Sequence, residues 1–214
     1  MSTVAGGPMR LPRAFIAGLL LFWLGMPAPG AAVEPALVEA LRAGGYVLYF
    51  RHAATEWSQA DRRQDSGWES CAPAEMRQLS DAGRDTARRV GEAMRRLRIP
   101  VARVLTSEFC RTLETARLLN LGPVETHRGL VNTTHAQHAG GVESLARRAR
   151  ALLATVPPAG SNTVLVSHGN VFMLVSDRRP VEAGAVVLRP DGSGGFEVIA
   201  HVAPEEWLAL ADRQ

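Results

Sequence analysis

Short apolar runs alternate with amphipathic segments along most of this chain. The runs at residues 46–50, 103–107 and 163–167 contain the β-branched and aromatic side chains that are typical of buried strands. Between these runs, apolar residues recur at helical spacing, and the helices predicted from them cover 34–42, 80–97, 111–119 and 142–156. Strands that alternate with helices predict a three-layer α/β/α sandwich around a mainly parallel sheet.

The amphipathic segments also indicate which helix faces are buried. Ser80 is a suitable N-cap for the second helix, and Ile99-Pro100 ends it. Pro157-Pro158 and Gly160 end the last of these helices, 142–156. The expected inward-facing residues are Ala87, Val90, Met94 and Leu97 in the second helix, and Leu145, Ala149, Leu152 and Val156 in the last one.

Three further segments complete the expected fold. Residues 185–189 and 196–202 flank the turn 190–195, a pattern that predicts an antiparallel hairpin at the edge of the sheet. Residues 53–78 are polar and irregular, and we expect this 53–78 loop to lie over a site, since long loops in compact domains are usually functional. Residues 127–141 predict a second loop, and Trp207 is expected to pack on the edge of the core.

Cations and imidazoles occur where the predicted strands end. Arg51 and His52 follow the first strand directly, His168 follows the third, and Arg111 opens the helix after the second. Open α/β sheets carry their chemistry at the carboxyl ends of the strands. Guanidinium groups match phosphate oxygens two at a time. The four residues therefore predict a phosphate pocket.

The N-terminal segment has the pattern of a secretory signal peptide. Arg10 and Arg13 precede the apolar stretch 14–24, and small residues follow it. We expect residues 1–32 to be removed after Ala32 (cleavage after Ala31 is the alternative), which leaves residues 33–214 as one domain without a stable membrane span. The alternative is an uncleaved membrane anchor, which the shortness of the apolar stretch disfavours, since a span takes about 20 residues.

Charge and cysteine content narrow the function. All 24 basic residues are arginine, and without Arg10 and Arg13 there are 22 against 21 acidic residues, so nucleic-acid binding is not expected. Cys71 and Cys110 are predicted to form a disulfide, because export places the pair in an oxidising compartment. Two unpaired cysteines are the alternative. No CxxC or HExxH motif occurs, and we expect neither a metal nor another cofactor.

Four motifs together resemble the histidine phosphatase superfamily, the phosphoglycerate-mutase-like enzymes. Arg51-His52-Ala-Ala-Thr55 is similar to its RHGxT motif, and Leu79-Ser-Asp-Ala-Gly-Arg84 to its LSxxGR helix start. The segments Ser107–Ala116 and Val166–Gly169 resemble its SxxxRxxxTA motif and its second-histidine segment. The motifs occur in the family's order and cover residues 46 to about 175.

The resemblance implies a role for each matched residue. His52 would be the nucleophile that is phosphorylated, while Arg51, Arg111 and His168 would bind the phosphoryl group. Thr55 would donate to a phosphate oxygen or orient the loop. Preorganised donors around the phosphoryl oxygens are the main catalytic contribution in such a transfer.

The chain departs from the family pattern at three places. Ala53 replaces the glycine after the histidine, and Ser58 stands where the mutase motif has asparagine. The glutamate that serves mutase-like members as proton donor is missing, because no acidic residue lies between Glu125 and Glu143. The candidates for a general acid are Glu143, His135 and His138, followed by Asp65 and Glu182.

These features predict an exported phosphomonoesterase of the bacterial periplasm or exterior. Its partner would be a small phosphorylated substrate, with an envelope sugar phosphate as one option and a scavenged phosphate ester as another. Two alternatives remain open. One is a phosphate-ligand binding module that turns over poorly, suggested by Ala53 and the missing acid. The other is a phosphomutase.

Overall fold

This computed structural model describes residues 1–3 and 35–213. A six-stranded sheet organises residues 35–213. The strands are β1 (Val47–Arg51), β2 (Val101–Thr106), β3 (Val124–Thr126), β4 (Asn162–Ser167), β5 (Ala185–Pro190) and β6 (Phe196–Val202). The helices are α1 (Pro35–Ala43), α2 (Asp81–Arg96), α3 (Cys110–Leu119), α4 (Val142–Leu153), α5 (Gly169–Phe172) and α6 (Pro204–Asp212). The predicted signal peptide, from residue 4 on, and its cleavage site lie outside the described residues.

The strand order is β3-β2-β4-β1-β5-β6. Neighbours among the first four strands in this order run parallel, whereas β5 pairs antiparallel with both β1 and β6. The mainly parallel sheet with an antiparallel hairpin at its edge is therefore confirmed. In the register, Arg51 lies opposite Ser167 and Thr106 lies opposite Val166, so the carboxyl ends of β1, β2 and β4 meet at one edge.

Alternate residues of β1 serve two separate cores, which makes the domain three-layered. Leu48 and Phe50 pack with residues of α1, α2, α3 and α6, and the ring of Phe50 stacks on Trp207. Val47 and Tyr49 face the opposite side, with Leu153 of α4 and Phe172 of α5. Because both faces of β1 are covered, four successive apolar residues are fully buried in it.

The structure corrects the end of α4. The helix ends at Leu153, not at Val156, and Val156 is exposed instead of facing inward. Leu153 takes the buried place, at 1 % exposure, and Leu152 is half-buried. Val156 precedes Pro157, and a residue before proline is driven out of the helical region, so the periodic pattern overran the helix by three residues.

The second loop also contains more structure than the sequence predicts. Two 3₁₀ helices, Arg128–Leu130 and Thr133–Ala139, occupy most of 127–141. Polar side chains begin both, since the side chains of His127 and Asn132 accept backbone N–H groups two residues ahead. By contrast, the 53–78 loop has only one strand-like contact among the described residues, an antiparallel bridge between Thr55 and Leu79.

No helix within residues 1–3 and 35–213 is both long enough and apolar enough to cross a bilayer.

Helix α2 approaches the chain just after His52. Ser80 caps the helix by accepting the N–H of Gly83, and its own N–H donates to the carbonyl of Ala54. A Cβ at Gly83 would lie 2.1 Å from the carbonyl oxygen of Ala54, so only glycine allows this approach. The contact holds the first turn of α2 against the backbone that follows the predicted nucleophile.

We expect Gly83→Ala to lower the free energy of unfolding by about 1–3 kcal/mol, because the added methyl forces α2 away from Ala54. The measurement is denaturant unfolding of the purified protein. Arg88→Ala, on the exposed face of the same helix, is the control and should change this energy by no more than about 0.5 kcal/mol. Equal stability of the two variants would contradict the close packing described here.

Candidate active site

A cavity of about 280 Å³ opens at the edge where the carboxyl ends of β1, β2 and β4 meet. Five predicted site residues line it: Arg51, His52, Thr55, Arg111 and His168. The other lining residues are Trp57, Asp61, Arg77, Asn132, Thr134, Gly169, Asn170, Arg179 and Glu182. The topology thus brings together side chains that are separated by more than a hundred residues in the sequence.

Backbone contacts with β4 and with the segment before β5 hold His52. Its N–H donates to the carbonyl of Ser167 at 2.9 Å, and its own carbonyl accepts the N–H of Ala183 at 3.2 Å. The ring nitrogen Nδ1 lies 2.8 Å from the carbonyl oxygen of Ala53. A carbonyl only accepts, so Nδ1 carries the hydrogen and Nε2 keeps a free lone pair.

His168 stands edge-on to His52, with 5.4 Å between the ring centroids. The hydroxyl of Tyr49 donates to the His168 carbonyl at 2.9 Å, and Nε2 of His168 lies 3.2 Å from the Ser107 hydroxyl. Its other ring nitrogen, Nδ1, is buried and has no hydrogen-bond partner among the described residues. A buried polar atom of this kind calls for a partner, which a bound ligand can supply.

Each of the two predicted phosphate-binding arginines is paired with a carboxylate. Arg51 donates to Glu182 at 2.9 Å. Arg111, which is 4 % exposed, donates to both oxygens of Asp61 at 2.9 and 3.0 Å. This bidentate arrangement is the geometry in which a guanidinium binds any planar or tetrahedral oxyanion.

The pocket nevertheless keeps a surplus of positive charge. Four guanidinium groups line it against two carboxylates, and no described acidic side chain forms a salt bridge with Arg77 or Arg179. The guanidinium of Arg77 lies over the ring of Trp57, 4.9 Å from its centroid, at the mouth of the pocket. Such a surplus favours the binding of a polyanion.

Burial and positive charge keep both histidines neutral. Burial, followed by the nearby charge of Arg111, lowers the pKa of His52 to about 3. The same two causes, in the same order, lower the pKa of His168 well below its usual value. At neutral pH the pocket therefore presents an imidazole with a lone pair, which is the form that acts as a nucleophile.

Ala53 and Thr55 occupy distinct positions beside His52. The methyl group of Ala53 packs with Leu79, Ala87 and Ala183 in a small buried cluster, and Ala53 does not line the cavity. Its N–H donates to the hydroxyl of Thr115 at 3.1 Å. The substitution for glycine thus adds apolar contact in the core and leaves the pocket free, whereas Thr55, at 4 % exposure, lines the cavity.

Of the candidate acids, only Glu182 lines the pocket. His135 is fully buried, with its ring nitrogens at the Thr134 hydroxyl and the Arg63 carbonyl. His138 packs beside Trp68 near the surface, and both Asp65 and Glu143 are exposed. None of these four reaches the cavity. Within the described ranges, no group of three or more His, Cys, Asp or Glu is arranged to hold a metal ion.

Sequence reasoning missed several polar residues of the pocket. Asp61 and Arg77 come from the 53–78 loop, Asn132 and Asn170 follow strand-end segments, and Arg179 lies between α5 and β5. The available signal was the position of the loop itself, which the sequence places over the site. Nothing in their local pattern separates these side chains from ordinary solvated ones.

The predicted disulfide between Cys71 and Cys110 is present and joins the 53–78 loop to the start of α3. Cys110 directly precedes Arg111, and 39 residues separate the two cysteines. The bridge therefore fastens the loop that carries Asp61 to the residue next to its ionic partner. The ring of Trp68, from the same loop, adds an apolar contact with Phe109 at 5.2 Å between centroids.

Comparison with known proteins agrees with this geometry. The family model "Histidine phosphatase superfamily (branch 1)" matches residues 47–141. Over these residues the chain resembles the histidine phosphatase superfamily. No curated protein matched at the sequence level.

Solved structures of the same fold cover most of the domain. The protein histidine phosphatase SixA complexed with tungstate superposes with a TM-score of 0.53 at 18 % identity, covering 74 % of this chain and 97 % of that one. Bacillus stearothermophilus YhfR superposes with a TM-score of 0.52 at 19 % sequence identity, covering 74 % of this chain and 96 % of that one. A mycobacterial glucosyl-3-phosphoglycerate phosphatase superposes with a TM-score of 0.52 at 19 % sequence identity, covering 73 % of this chain and 97 % of that one. At these identities the likeness concerns the fold, and the family match supports phosphatase activity in general.

The low pKa of His52 predicts a pH-dependent stability. In the unfolded chain His52 binds a proton below about pH 6.5, whereas in the folded protein it stays neutral down to about pH 3. Stability is therefore lost as the pH falls through this window. We expect His52→Asn to reduce the slope of unfolding free energy against pH between pH 6 and 4 by up to about 1 kcal/mol per unit.

The measurement is denaturant unfolding of both proteins across pH 4–8. Between pH 7 and 8 the imidazole is neutral in both states, so the two curves should run parallel there. Equal slopes below pH 6 would show that His52 is not held neutral by its surroundings.

The disulfide predicts a second stability effect. Replacing both Cys71 and Cys110 by serine should lower the free energy of unfolding by about 4 kcal/mol, because the unfolded chain is no longer closed over this 39-residue separation. Denaturant unfolding of the oxidised protein and of the double variant gives the difference. Added reductant should destabilise only the wild type, and a double variant as stable as the wild type would contradict the prediction.

Proposed function

We propose that this protein is a phosphomonoesterase that hydrolyses its substrate through a phosphohistidine on His52. The observation that carries the proposal is the state of the His52 ring. Its Nδ1 hydrogen is used by the Ala53 carbonyl, and its pKa is low. The lone pair on Nε2 is therefore available for in-line attack on phosphorus in a pocket lined by cations.

Arg51, Arg111 and His168 would hold the phosphoryl group. The two guanidinium groups already bind carboxylates, and phosphate oxygens present the same acceptor geometry. His168 lines the same cavity, and its buried Nδ1, which has no partner among the described residues, would donate to a phosphoryl oxygen. These fixed charges would neutralise the equatorial oxygens in the transition state, the part that Mg²⁺ takes in other phosphoryl-transfer enzymes.

Hydrolysis is preferred over the two alternatives. A poorly active binding module was suggested by Ala53, but its methyl group packs into the core and does not narrow the pocket. A mutase must retain its product for a second transfer, and this pocket is open to solvent at Trp57, which is 74 % exposed. Water therefore has access to a phosphoenzyme.

We extend the proposal to an exported protein whose substrate is a small phosphate ester of the cell envelope or exterior. Two observations support export. The sequence begins with a signal-peptide pattern, and the Cys71–Cys110 disulfide suits an oxidising compartment. An envelope sugar phosphate and a scavenged ester both fit a pocket that combines cations with neutral Asn and Thr side chains.

The test compares the purified wild type with His52→Ala on an aryl phosphate, with and without a chelator. We expect the wild type to release phosphate in both conditions, and the variant to be slower by about 10³-fold or more, since it lacks the nucleophile. His201→Ala, a half-buried histidine on β6 outside the pocket, is the matched control and should keep wild-type activity.

An acid-labile phosphoryl group on His52 of quenched wild type would support the covalent step. Equal activity of His52→Ala and wild type would refute His52 as the nucleophile. Phosphate binding without any phosphate release by folded wild type would favour the binding module, and an isomerised ester without free phosphate would favour the mutase.

A further inference from the structure

Ser107 contacts His168 without lining the cavity, and the proposed reaction gives it no role. It is the first residue after β2, and its N–H donates to the carbonyl of Val166 on β4 at 3.0 Å. Its carbonyl accepts the hydroxyl of Thr112 at 2.9 Å, and both residues are fully buried. These contacts fix the backbone that carries the Ser107 hydroxyl.

Aromatic contacts and a backbone hydrogen bond restrict the His168 ring. Phe109 stands edge-on to it with 4.8 Å between the ring centroids, and His52 stands edge-on at 5.4 Å. The hydroxyl of Tyr49 holds the His168 carbonyl. Nε2 of His168 therefore stays at the Ser107 hydroxyl, 3.2 Å away, while the buried Nδ1 has no partner among the described residues.

His168 has one ring hydrogen to place. Burial and the charge of Arg111 keep its pKa well below the usual value, so the ring is neutral. In a neutral imidazole one nitrogen donates and the other accepts, and the partner of one nitrogen determines the state of the other. Because Ser107 is the partner of Nε2, its hydroxyl decides which nitrogen carries the hydrogen.

The two possible arrangements use the Ser107 hydroxyl differently. Its oxygen accepts the N–H of Phe109 at 3.5 Å, and Nε2 of His168 is the acceptor that the described residues offer to its hydrogen. If Nε2 carried the ring hydrogen, the hydroxyl hydrogen would be left without an acceptor in this buried place. With the ring hydrogen on Nδ1, the hydroxyl donates to Nε2, and only Nδ1–H waits for a partner.

The position of this hydrogen matters for an anion in the cavity. A bare Nδ1 would present a lone pair to the oxygens of a phosphoryl group, whereas Nδ1–H donates to them. A donor that is fixed before the anion arrives stabilises it without reorganisation during the reaction. The role proposed for His52 needs a bare Nε2 instead, and there the Ala53 carbonyl takes the Nδ1 hydrogen.

We propose that Ser107 is a positioning residue that places the ring hydrogen of His168 on Nδ1, so that the neutral ring donates to an oxyanion in the cavity. The inference rests on the function proposed above, in which His168 holds the phosphoryl group. Ser107 acts through the histidine and does not itself touch the substrate.

The ring hydrogen can be located in ¹⁵N–¹H correlation spectra of ¹⁵N-labelled protein at neutral pH, because ring nitrogens with and without hydrogen differ widely in ¹⁵N shift. The chain has six histidines, and the spectrum of His168→Gln identifies the His168 signals by their loss. For wild type we expect the hydrogen on Nδ1. For Ser107→Ala we expect it on Nε2 in a measurable fraction of the molecules, since Nε2 has lost its donor.

The second measurement is the binding of inorganic phosphate to the same proteins by calorimetry. We expect the dissociation constant to rise by about tenfold in Ser107→Ala, because part of the molecules lack the Nδ1 donor. On an aryl phosphate, kcat should fall by about 10–10²-fold. This is less than the loss of about 10²–10³-fold that follows removal of an oxyanion donor, since the Nδ1–H form stays accessible.

Thr106→Val is the matched control. It removes a buried hydroxyl from the residue next to Ser107, and this hydroxyl donates to the carbonyl of Val166 and not to His168. The same carbonyl also accepts the N–H of Ser107, so the change leaves no unpaired acceptor. We expect Thr106→Val to keep the wild-type position of the ring hydrogen, the phosphate affinity and the rate.

Several outcomes would overturn the proposal. One is a bare Nδ1 in wild type, and another is a His168 ring with hydrogen on both nitrogens when phosphate is bound. An unchanged ring hydrogen in Ser107→Ala, or a moved one with unchanged phosphate affinity, would refute the role of Ser107. Equal effects of Ser107→Ala and Thr106→Val would leave Ser107 a structural role only.

Neither the spectra nor the phosphate titration requires turnover, which separates this proposal from the function beneath it. If wild type binds phosphate with the expected ring hydrogen but hydrolyses no ester, the phosphatase is refuted and the assignment of Ser107 stands. If folded wild type binds no phosphate and hydrolyses no ester, both proposals fail.

Discussion

Arg111 carries a charge that is almost fully buried, and much of the site depends on balancing it. An unpaired buried charge costs several kcal/mol, so the free protein requires an anion at this position. Asp61 supplies it from the 53–78 loop, which begins directly after the predicted nucleophile. Glu182 does the same for Arg51 from the segment before β5. The ionic requirements of two arginines thus determine where two irregular segments lie.

The same charges determine the chemical state of the histidines. A cation beside a buried imidazole opposes its protonation, so Arg111 and burial act together on both His52 and His168. A solvent-exposed histidine without such cations titrates near neutral pH and loses the lone pair during part of the physiological range. The cations that we propose to bind phosphate therefore also keep the proposed nucleophile neutral.

Much of the fold was predictable because it follows from local patterns. The apolar run of β1 and the cap at Ser80 are each contained within a few residues, and the structure has both as predicted. The predicted inward position of Val156 was wrong because a residue before proline leaves the helical conformation whatever the apolar period is. The 3₁₀ helices of 127–141 were not predicted, because side-chain caps and not apolar periodicity form them. The sequence left open whether the methyl group of Ala53 affects the phosphate pocket. Packing decides this, because the direction of the methyl group depends on α2 and on Ala183.

The sequence by itself determined the order of strands and helices, the motifs of the superfamily and the four residues that stand at strand ends. These properties depend on side-chain type and short-range spacing, which can be read along the chain. Only the tertiary structure decided which carboxylates face the pocket and which histidines do not. Asp61 and Arg111 are 50 residues apart, and their contact exists because the sheet, the disulfide and the buried charge of Arg111 bring the 53–78 loop to it. Such pairings depend on long-range packing and electrostatics, for which the local sequence carries no signal.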